Sequence, residues 1–168
     1  DDANSRPDAS ASRWIIDFND RALDECNQYP LALYRIRELV YPERQKSLRK
    51  ARRERWWQYA EKAPGMRRAI SGLNEALAIT LVSKIAMPVR VRTDQIISNR
   101  LAVFATDSFA FQAILSSSAH WLWAVKYSTT LETRINYTPL DVFETFPRPE
   151  ETKELAAIGE ALEEARRE

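Results

Sequence analysis

The sequence predicts an α+β fold in which a small mixed or antiparallel sheet is packed by helices. Two observations support this prediction. Short apolar segments, one of them with a period of two, occupy residues 76–105, and apolar positions with helical spacing follow over residues 108–126. The chain has 168 residues, 45% of them hydrophobic, which is enough for one domain with a sizeable core.

The amino-terminal part of the chain is predicted to contain a linker, a strand and a long helix. Residues 1–12 are mostly small and polar, which is typical of a linker or a disordered terminus. Residues 13–18 form a compact apolar burst and predict a strand. Residues 43–63 contain strong helix formers and neither glycine nor proline, so we expect one helix that ends at Pro64 and Gly65.

The middle of the chain is predicted to form strands. Residues 76–83 are almost uniformly apolar, and residues 100–105 form another apolar segment. Between them, residues 88–93 alternate valine with arginine. Because successive side chains of a strand point to opposite faces, Arg90 and Arg92 are expected to project to one side.

Two further helices are predicted in the last third of the chain. One covers residues 108–126 and begins after a capping residue, Asp107 or Ser108. The other is an acidic helix over about residues 150–167. The first of these helices is expected to pack on the strands through its apolar side chains Phe111, Ile114, Leu115 and Leu122.

The composition excludes several classes of site. Cys26 and His120 are each the only residue of their type, so zinc sites built from clusters of cysteine and histidine are excluded. The three glycines are scattered and form no phosphate-binding loop. No arrangement of nucleophile and acid is recognisable, and His120, which lies between tryptophans, is expected to be structural. We therefore predict no catalytic residue, no metal and no bound cofactor in this chain.

The sequence also predicts a cytoplasmic protein without a membrane partner. No apolar run reaches the roughly 18–20 residues that a membrane span requires. The amino terminus is acidic and has no signal-peptide core.

Positive charge is concentrated in one segment, although the whole chain has a net charge of +1. Residues 35–68 contain 12 Lys and Arg against 4 Asp and Glu, which indicates a localised anionic partner. Trp56 and Trp57 stand among these cations, and an indole packs on sugars or bases while guanidinium groups neutralise phosphates. The arginines that we assign to DNA phosphates are Arg49, Arg52, Arg53 and Arg55.

Two alternatives for the basic helix remain open. The charges can form an ordinary solvated face, or they can dock onto an acidic neighbouring domain of a protein-interaction or structural module. Adjacent helical residues point about 100° apart, so the two tryptophans are not expected to share one buried face. We expect Trp56 in the core and Trp57 near a surface or a domain joint.

Two further stretches carry side chains suited to reading bases. Lys84, Arg90 and Arg92 lie on or beside a predicted strand, and arginine can donate two hydrogen bonds to guanine. In an extended segment over residues 131–137, alternate side chains share one side; these are Glu132, Arg134 and Asn136. Their chemistry matches cytosine, guanine and adenine in a major groove, so Glu132 and Arg134 are predicted to read one G·C pair together.

The order of seven segments resembles the target recognition region of fused type II restriction–modification methyltransferases that use S-adenosylmethionine. The resemblance covers residues 13–149, nearly the whole chain. The segments are RWIIDF at 13–18, RWWQY at 55–59, VSK at 82–84, LAVF at 101–104, ILSSSAHWLW at 114–123, NYTP at 136–139 and FETFPRP at 143–149.

The resemblance implies a parent protein that methylates adenine in DNA, often with an attached endonuclease. In that family the methyltransferase domain precedes this region and carries the cofactor motif and an Asn-Pro-Pro-Tyr motif, neither of which occurs here. The chain is therefore expected to be a recognition domain over residues 13–149, followed by an acidic helix over 150–168. Its expected partners are double-stranded DNA and the methyltransferase domain, which would bind S-adenosylmethionine.

The resemblance also implies that base-reading positions fall in two stretches, residues 84–93 and 131–136. These are the stretches already selected for their chemistry. The family's usual arginine before the Tyr-Thr pair is replaced here by Asn136, so the recognised DNA sequence does not carry over.

Overall fold

A computed structural model describes residues 9–11, 13–59, 62–131 and 134–168. The chain divides into two compact units. Residues 13–64 form one of them, here called the helical unit. The other, here called the sheet unit, comprises residues 65–168 together with the described residues 9–11. The α+β fold class is confirmed, because short helices accompany two antiparallel sheets.

The helical unit is built from short helices around a small aromatic core. Its helices are α1 (Leu23–Cys26), α2 (Pro30–Leu39), α3 (Tyr41–Gln45) and α4 (Lys50–Glu54). The buried core residues are Phe18, Cys26, Leu33, Ile36 and Trp56.

The predicted strand at residues 13–18 is wrong. The segment has no regular secondary structure, and Trp14 is fully exposed at its start. The apolar residues of this segment serve packing instead of strand pairing, because Phe18 packs into the core of the helical unit. The apolar segment over residues 13–18 therefore contributes Phe18 to the core without forming a strand.

The predicted helix over residues 43–63 is broken between α3 and α4. The backbone N–H of Arg49 donates to Ser47 Oγ at 3.3 Å, a local bond that competes with helix continuation. The Arg53 guanidinium donates to the Ser47 carbonyl at 2.6 Å and so spans the break. Trp56 is buried and Trp57 is half-buried, as expected for this pair.

Helix α5 (Pro64–Ile70) belongs to the sheet unit except for its first residue, and this unit contains two three-stranded antiparallel sheets. The first sheet has the strand order β3-β1-β4, and the second has the order β2-β6-β5. The strands are β1 (Glu75–Thr80), β2 (Val82–Ser83), β3 (Val89–Arg92), β4 (Leu101–Phe104), β5 (Thr129–Leu131) and β6 (Arg134–Asn136). The predicted strands at 88–93 and 100–105 are confirmed, and the predicted strand at 76–83 is divided at Leu81 between the two sheets.

The helices of the sheet unit are α6 (Phe109–Ser116), α7 (Ser118–Tyr127), α8 (Pro139–Val142) and α9 (Lys153–Arg167). The helix predicted over residues 108–126 breaks at Ser117, whose ψ of 152° is extended. Ser117 caps α7 by accepting from the backbone N–H of His120 at 3.2 Å. Because α7 starts a new helical phase, Leu122 is exposed, whereas Ile114 and Leu115 are buried as predicted and Phe111 is partly buried against the core.

The acidic helix predicted over about residues 150–167 is present as α9, but it is not a separate appendage. It packs on α6 within the sheet unit. Gly159 is buried where the two helices meet, and a side chain there would overlap the Phe109 carbonyl oxygen. Part of the predicted linker also belongs to the core, since Ala9 is buried against Ala78, Val89 and Val91. None of the helices in the described part of the chain is both long and apolar enough to cross a membrane.

His120 is a fully buried structural residue, as predicted. The break at Ser117 interrupts the helical hydrogen bonding of α6, and the Leu115 carbonyl lies 2.7 Å from His120 Nδ1. Since a carbonyl only accepts, Nδ1 carries the proton and Nε2 accepts from the Tyr137 hydroxyl at 3.1 Å. Burial lowers the pKa of His120 below 6.5, despite the opposing hydrogen bond to Leu115.

Stability is therefore expected to fall as the pH drops below about 6.5. The unfolded chain binds a proton on His120 there, while the folded chain keeps the ring neutral, so protonation favours unfolding. The loss is at most about 1.4 kcal/mol per pH unit until the folded pKa is reached. Urea unfolding at pH 7.5 and pH 5.5 measures it. Equal free energies of unfolding at the two pH values would contradict the assignment, because the chain has no other histidine.

Candidate nucleic-acid interface

Residues from both stretches predicted to read bases lie at the second sheet: Lys84 directly follows one of its strands, and Arg134 and Asn136 belong to another. Strand β2 pairs with β6, with Val82 opposite Asn136 and Ser83 opposite Ile135. In this antiparallel register Lys84, which follows β2, and Arg134, which begins β6, lie at the same end of the sheet. Both side chains are exposed. Lys84, Arg134 and Asn136 are hereafter called the reading surface.

A tight turn positions Lys84. The Ser83 hydroxyl accepts from the backbone N–H of Ile85 at 3.0 Å and lies 2.7 Å from its carbonyl oxygen. Ala86, three residues after Ser83, is buried in the core, which anchors the turn to the sheet unit. Lys84 therefore stands on a short, fixed turn between a strand and a buried residue.

Asn136 and Arg134 are positioned by the hairpin of β5 and β6. Leu131 pairs with Arg134, so the chain reverses direction between them instead of running as one extended segment. Asn136 donates from Nδ2 to Thr129 Oγ1 at 3.0 Å and is half-buried. Glu132, the predicted partner of Arg134, lies outside the described residues.

Arg90 must be removed from the predicted base-reading residues. It is only 6% exposed, and its guanidinium lies 4.1 Å from the centroid of the Phe109 ring. Its Nε donates to Glu75 at 2.9 Å, and its Nη atoms donate to the Asp107 carbonyl at 2.9 Å and to Gln112 at 3.3 Å. Valine and arginine do alternate along β3. However, Phe109 and Gln112 of α6 contact the Arg90 guanidinium and cover it.

Arg90 belongs to a polar network that joins the first sheet to α6 and α9. Gln112 donates to the buried Glu163 at 2.8 Å, and Arg167 binds both Glu163 at 2.9 Å and Glu75 at 3.3 Å. Burial opposes ionisation of Glu75, but Arg90 and Arg167 outweigh it and lower the pKa of that carboxyl. The stabilisation by ionised Glu75 is thus present above its ordinary pKa and is lost as the pH falls through the lowered one.

Arg92 is exposed and forms an ion pair with Asp94. It stands opposite Glu75 at the start of β1, whereas Lys84 follows β2 at the other end of the β1–β2 segment. The structure therefore does not bring Arg92 to the reading surface. A role for Arg92 in binding DNA stays a prediction.

The second candidate surface is a pocket of about 190 Å³ in the helical unit. Three of the four arginines that we assigned to phosphates line it, whereas the fourth, Arg53, is held by the Ser47 carbonyl. The lining residues, hereafter called the basic pocket, are Arg44, Arg49, Ala51, Arg52, Arg55, Gln58, Tyr59 and Lys62.

Sequence reasoning missed Arg44, Tyr59 and Lys62 as members of this pocket. The high positive charge of residues 35–68 was the available signal, but the predicted continuous helix separated Arg44 from Arg55. In the part of the chain that the structure describes, no group of three or more His, Cys, Asp and Glu residues is placed to hold a metal ion.

Comparisons with known proteins agree with this architecture. A solved structure of the type IIL restriction-modification enzyme MmeI in complex with DNA matches with a TM-score of 0.62 and 22% identity. The match covers 91% of this chain and 20% of that chain, and it shows a shared fold. No curated protein sequence matches significantly. The model of the family described as "MmeI, target recognition domain" matches residues 9–150, and the chain therefore belongs to the MmeI target recognition domain family.

Proposed function

We propose that the chain recognises a short sequence in double-stranded DNA and holds it for the methyltransferase domain of a longer protein. Membership of a target recognition domain family supports this function. The observation that carries it is the pairing of β2 with β6, which places Lys84 and Arg134 at one end of the same small sheet. Two separate stretches of suitable chemistry thereby form one surface.

The side chains of the reading surface have the chemistry that base edges require. Arginine and lysine donate to O6 and N7 of guanine, and the amide of asparagine pairs with N6 and N7 of adenine. Lys84 and Arg134 are exposed and stand on a fixed turn and a strand, which limits the entropy lost on binding. Glu132 would complete a G·C contact with Arg134 by accepting from the cytosine amino group.

The basic pocket supplies the part of the interaction that does not depend on sequence. Cationic side chains that neutralise phosphates give affinity and register, while base contacts give specificity. We assign the pocket arginines Arg49, Arg52 and Arg55 to phosphate contacts. Arg53 is a weaker candidate, because its guanidinium already donates to Ser47.

Catalysis would belong to the rest of the longer protein. We propose that its methyltransferase domain binds S-adenosylmethionine and methylates an adenine that is flipped out of the duplex. The chain would contribute no catalytic group, and we propose that it works in the cytoplasm.

When Arg134→Gln is introduced into the full-length protein, we expect the base preference to be lost at one position of the short DNA sequence that is methylated, here called the word. A good bidentate contact to a base contributes about 1–3 kcal/mol of discrimination, or roughly a five- to 150-fold preference. Sequencing of methylated bases in cells that carry the protein measures the word. Lys84→Gln is expected to affect the same or an adjacent position, since both residues lie at one end of the sheet.

Arg68→Gln is the matched control, because Arg68 is an exposed arginine of α5 and its replacement makes the same change in charge. This variant should methylate the original word. Persistence of the original word in both Arg134→Gln and Lys84→Gln would contradict the assignment of the reading surface.

A further inference from the structure

We propose that the basic pocket binds one phosphate group of the DNA backbone as a discrete site, instead of forming part of a diffuse positive surface. This inference rests on the proposed function and makes it more specific. It assigns Arg44 and Arg55 to the same phosphate, although they lie on opposite sides of the break between α3 and α4.

The break between α3 and α4 makes the pocket possible. In one continuous helix, Arg44 and Arg55 would be roughly 16 Å apart along the helix axis. The observed chain instead folds back enough for both to line a pocket of about 190 Å³. The hydrogen bonds from Arg53 to the Ser47 carbonyl and from Gln45 to the Arg53 carbonyl hold this arrangement.

The charge of the pocket calls for an anion. Its lining includes five cationic residues, and none of the described residues that line it is a carboxylate. Among the described residues, the guanidinium groups of Arg44, Arg49 and Arg55 make no ion pair with a carboxylate. Lys62 differs, because it pairs with Asp20 at the edge of the pocket. Bringing the like charges of Arg44, Arg49 and Arg55 to one pocket costs free energy that a bound anion recovers.

The neutral lining groups fit a phosphate as well. Tyr59 is 37% exposed, and the burial of the rest of its side chain together with the charge of Asp17 raises the pKa of its hydroxyl, which Arg44 opposes. The hydroxyl therefore stays protonated and can donate a hydrogen bond. Toward an anion, the guanidinium groups and the tyrosine hydroxyl act as hydrogen-bond donors. A phosphate has several oxygens that can accept these hydrogen bonds. Ala51, the smallest of the lining residues, takes up little of the pocket's space.

The salt dependence of duplex binding by the full chain tests whether the arginines share one phosphate. The slope of log affinity against log salt falls by about 0.9 for each phosphate that the protein no longer neutralises. The double variant Arg44→Gln/Arg55→Gln is expected to reduce the slope by about 0.9, the value for a single phosphate. Arg35→Gln, an exposed arginine of α2 in the same unit, should leave the slope unchanged. A reduction of about 1.8, or no reduction, in the double variant would overturn the proposal.

Inorganic phosphate provides the second arm of the test. At low salt it should shift the amide NMR signals around Tyr59 and Arg55 with one saturable site, and the shift should disappear in the double variant but persist in Arg35→Gln. Duplex DNA should displace the phosphate, whereas retention of phosphate in the presence of bound duplex would overturn the assignment to the DNA backbone.

The two hypotheses fail differently. If the chain binds duplex but shows no saturable phosphate site, the pocket proposal is overturned and the proposed function stands. If it binds phosphate but no duplex, the proposed function is overturned, and with it the assignment of the pocket to a backbone phosphate.

Discussion

Replacing Gly159 with alanine is expected to destabilise the sheet unit by about 3 kcal/mol, at the upper end of the usual cost of overpacking. The added Cβ would overlap the Phe109 carbonyl oxygen and lie 2.6 Å from the carbonyl carbon. Both atoms belong to the backbone of α6, so no side-chain rotation can relieve the overlap. Helix α9 must move away from α6, which also weakens the bond between Gln112 and Glu163.

Thermal unfolding followed by circular dichroism measures this effect, and the midpoint should fall by roughly 6–12 °C. Gly72→Ala is the matched control, because a Cβ there meets no atom within 4 Å and the backbone φ is not positive. Its midpoint should change little. A Gly159→Ala variant as stable as the wild type would show that α9 does not pack closely on α6.

Replacing Arg90 with glutamine is expected to cost about 3 kcal/mol, because breaking a buried ion pair leaves the remaining charge poorly compensated. The value lies at the low end of the usual range, since Glu75 is 32% exposed and retains Arg167. Urea unfolding measures the loss. The variant tests the correction of the sequence-based prediction, which placed Arg90 on a base.

Arg92→Gln is the matched comparison on the same strand. Arg92 is exposed and pairs only with its neighbour Asp94 among the contacts that the structure describes, so its replacement should hardly change the unfolding midpoint. A base-reading role for Arg90 would give the opposite pattern: unchanged stability of the Arg90 variant with an altered DNA preference.

The parts of the fold that depend on local pattern could be predicted from the sequence. The alternation over β3, the apolar run of β4 and the cap at Ser108 all act over a few residues. The breaks in the predicted helices also have local causes, the hydroxyls of Ser47 and Ser117, but helix propensity alone gave them too little weight. The β5–β6 hairpin was missed because its strands have only three residues each.

The candidate site could be predicted only in pieces. The chemistry of their side chains identified Lys84 and Arg134 as candidates. Their placement at one end of a sheet depends on the pairing of β2 with β6, two strands that are far apart in the sequence. The same limitation explains the error at Arg90. A period of two indicates which residues share a side of a strand, but it does not reveal that Glu75 and Gln112 pair with one of them.

The most direct test of the central claim is selection from a pool of randomised DNA duplexes by the purified chain. If the chain recognises sequence, wild-type protein enriches one short word, and Arg134→Gln enriches the same word with the preference lost at a single position. The basic-pocket variant Arg44→Gln/Arg55→Gln enriches the unchanged word with weaker binding. Enrichment of no word by a folded wild-type chain, or of an identical word by Arg134→Gln and Lys84→Gln, would contradict the account.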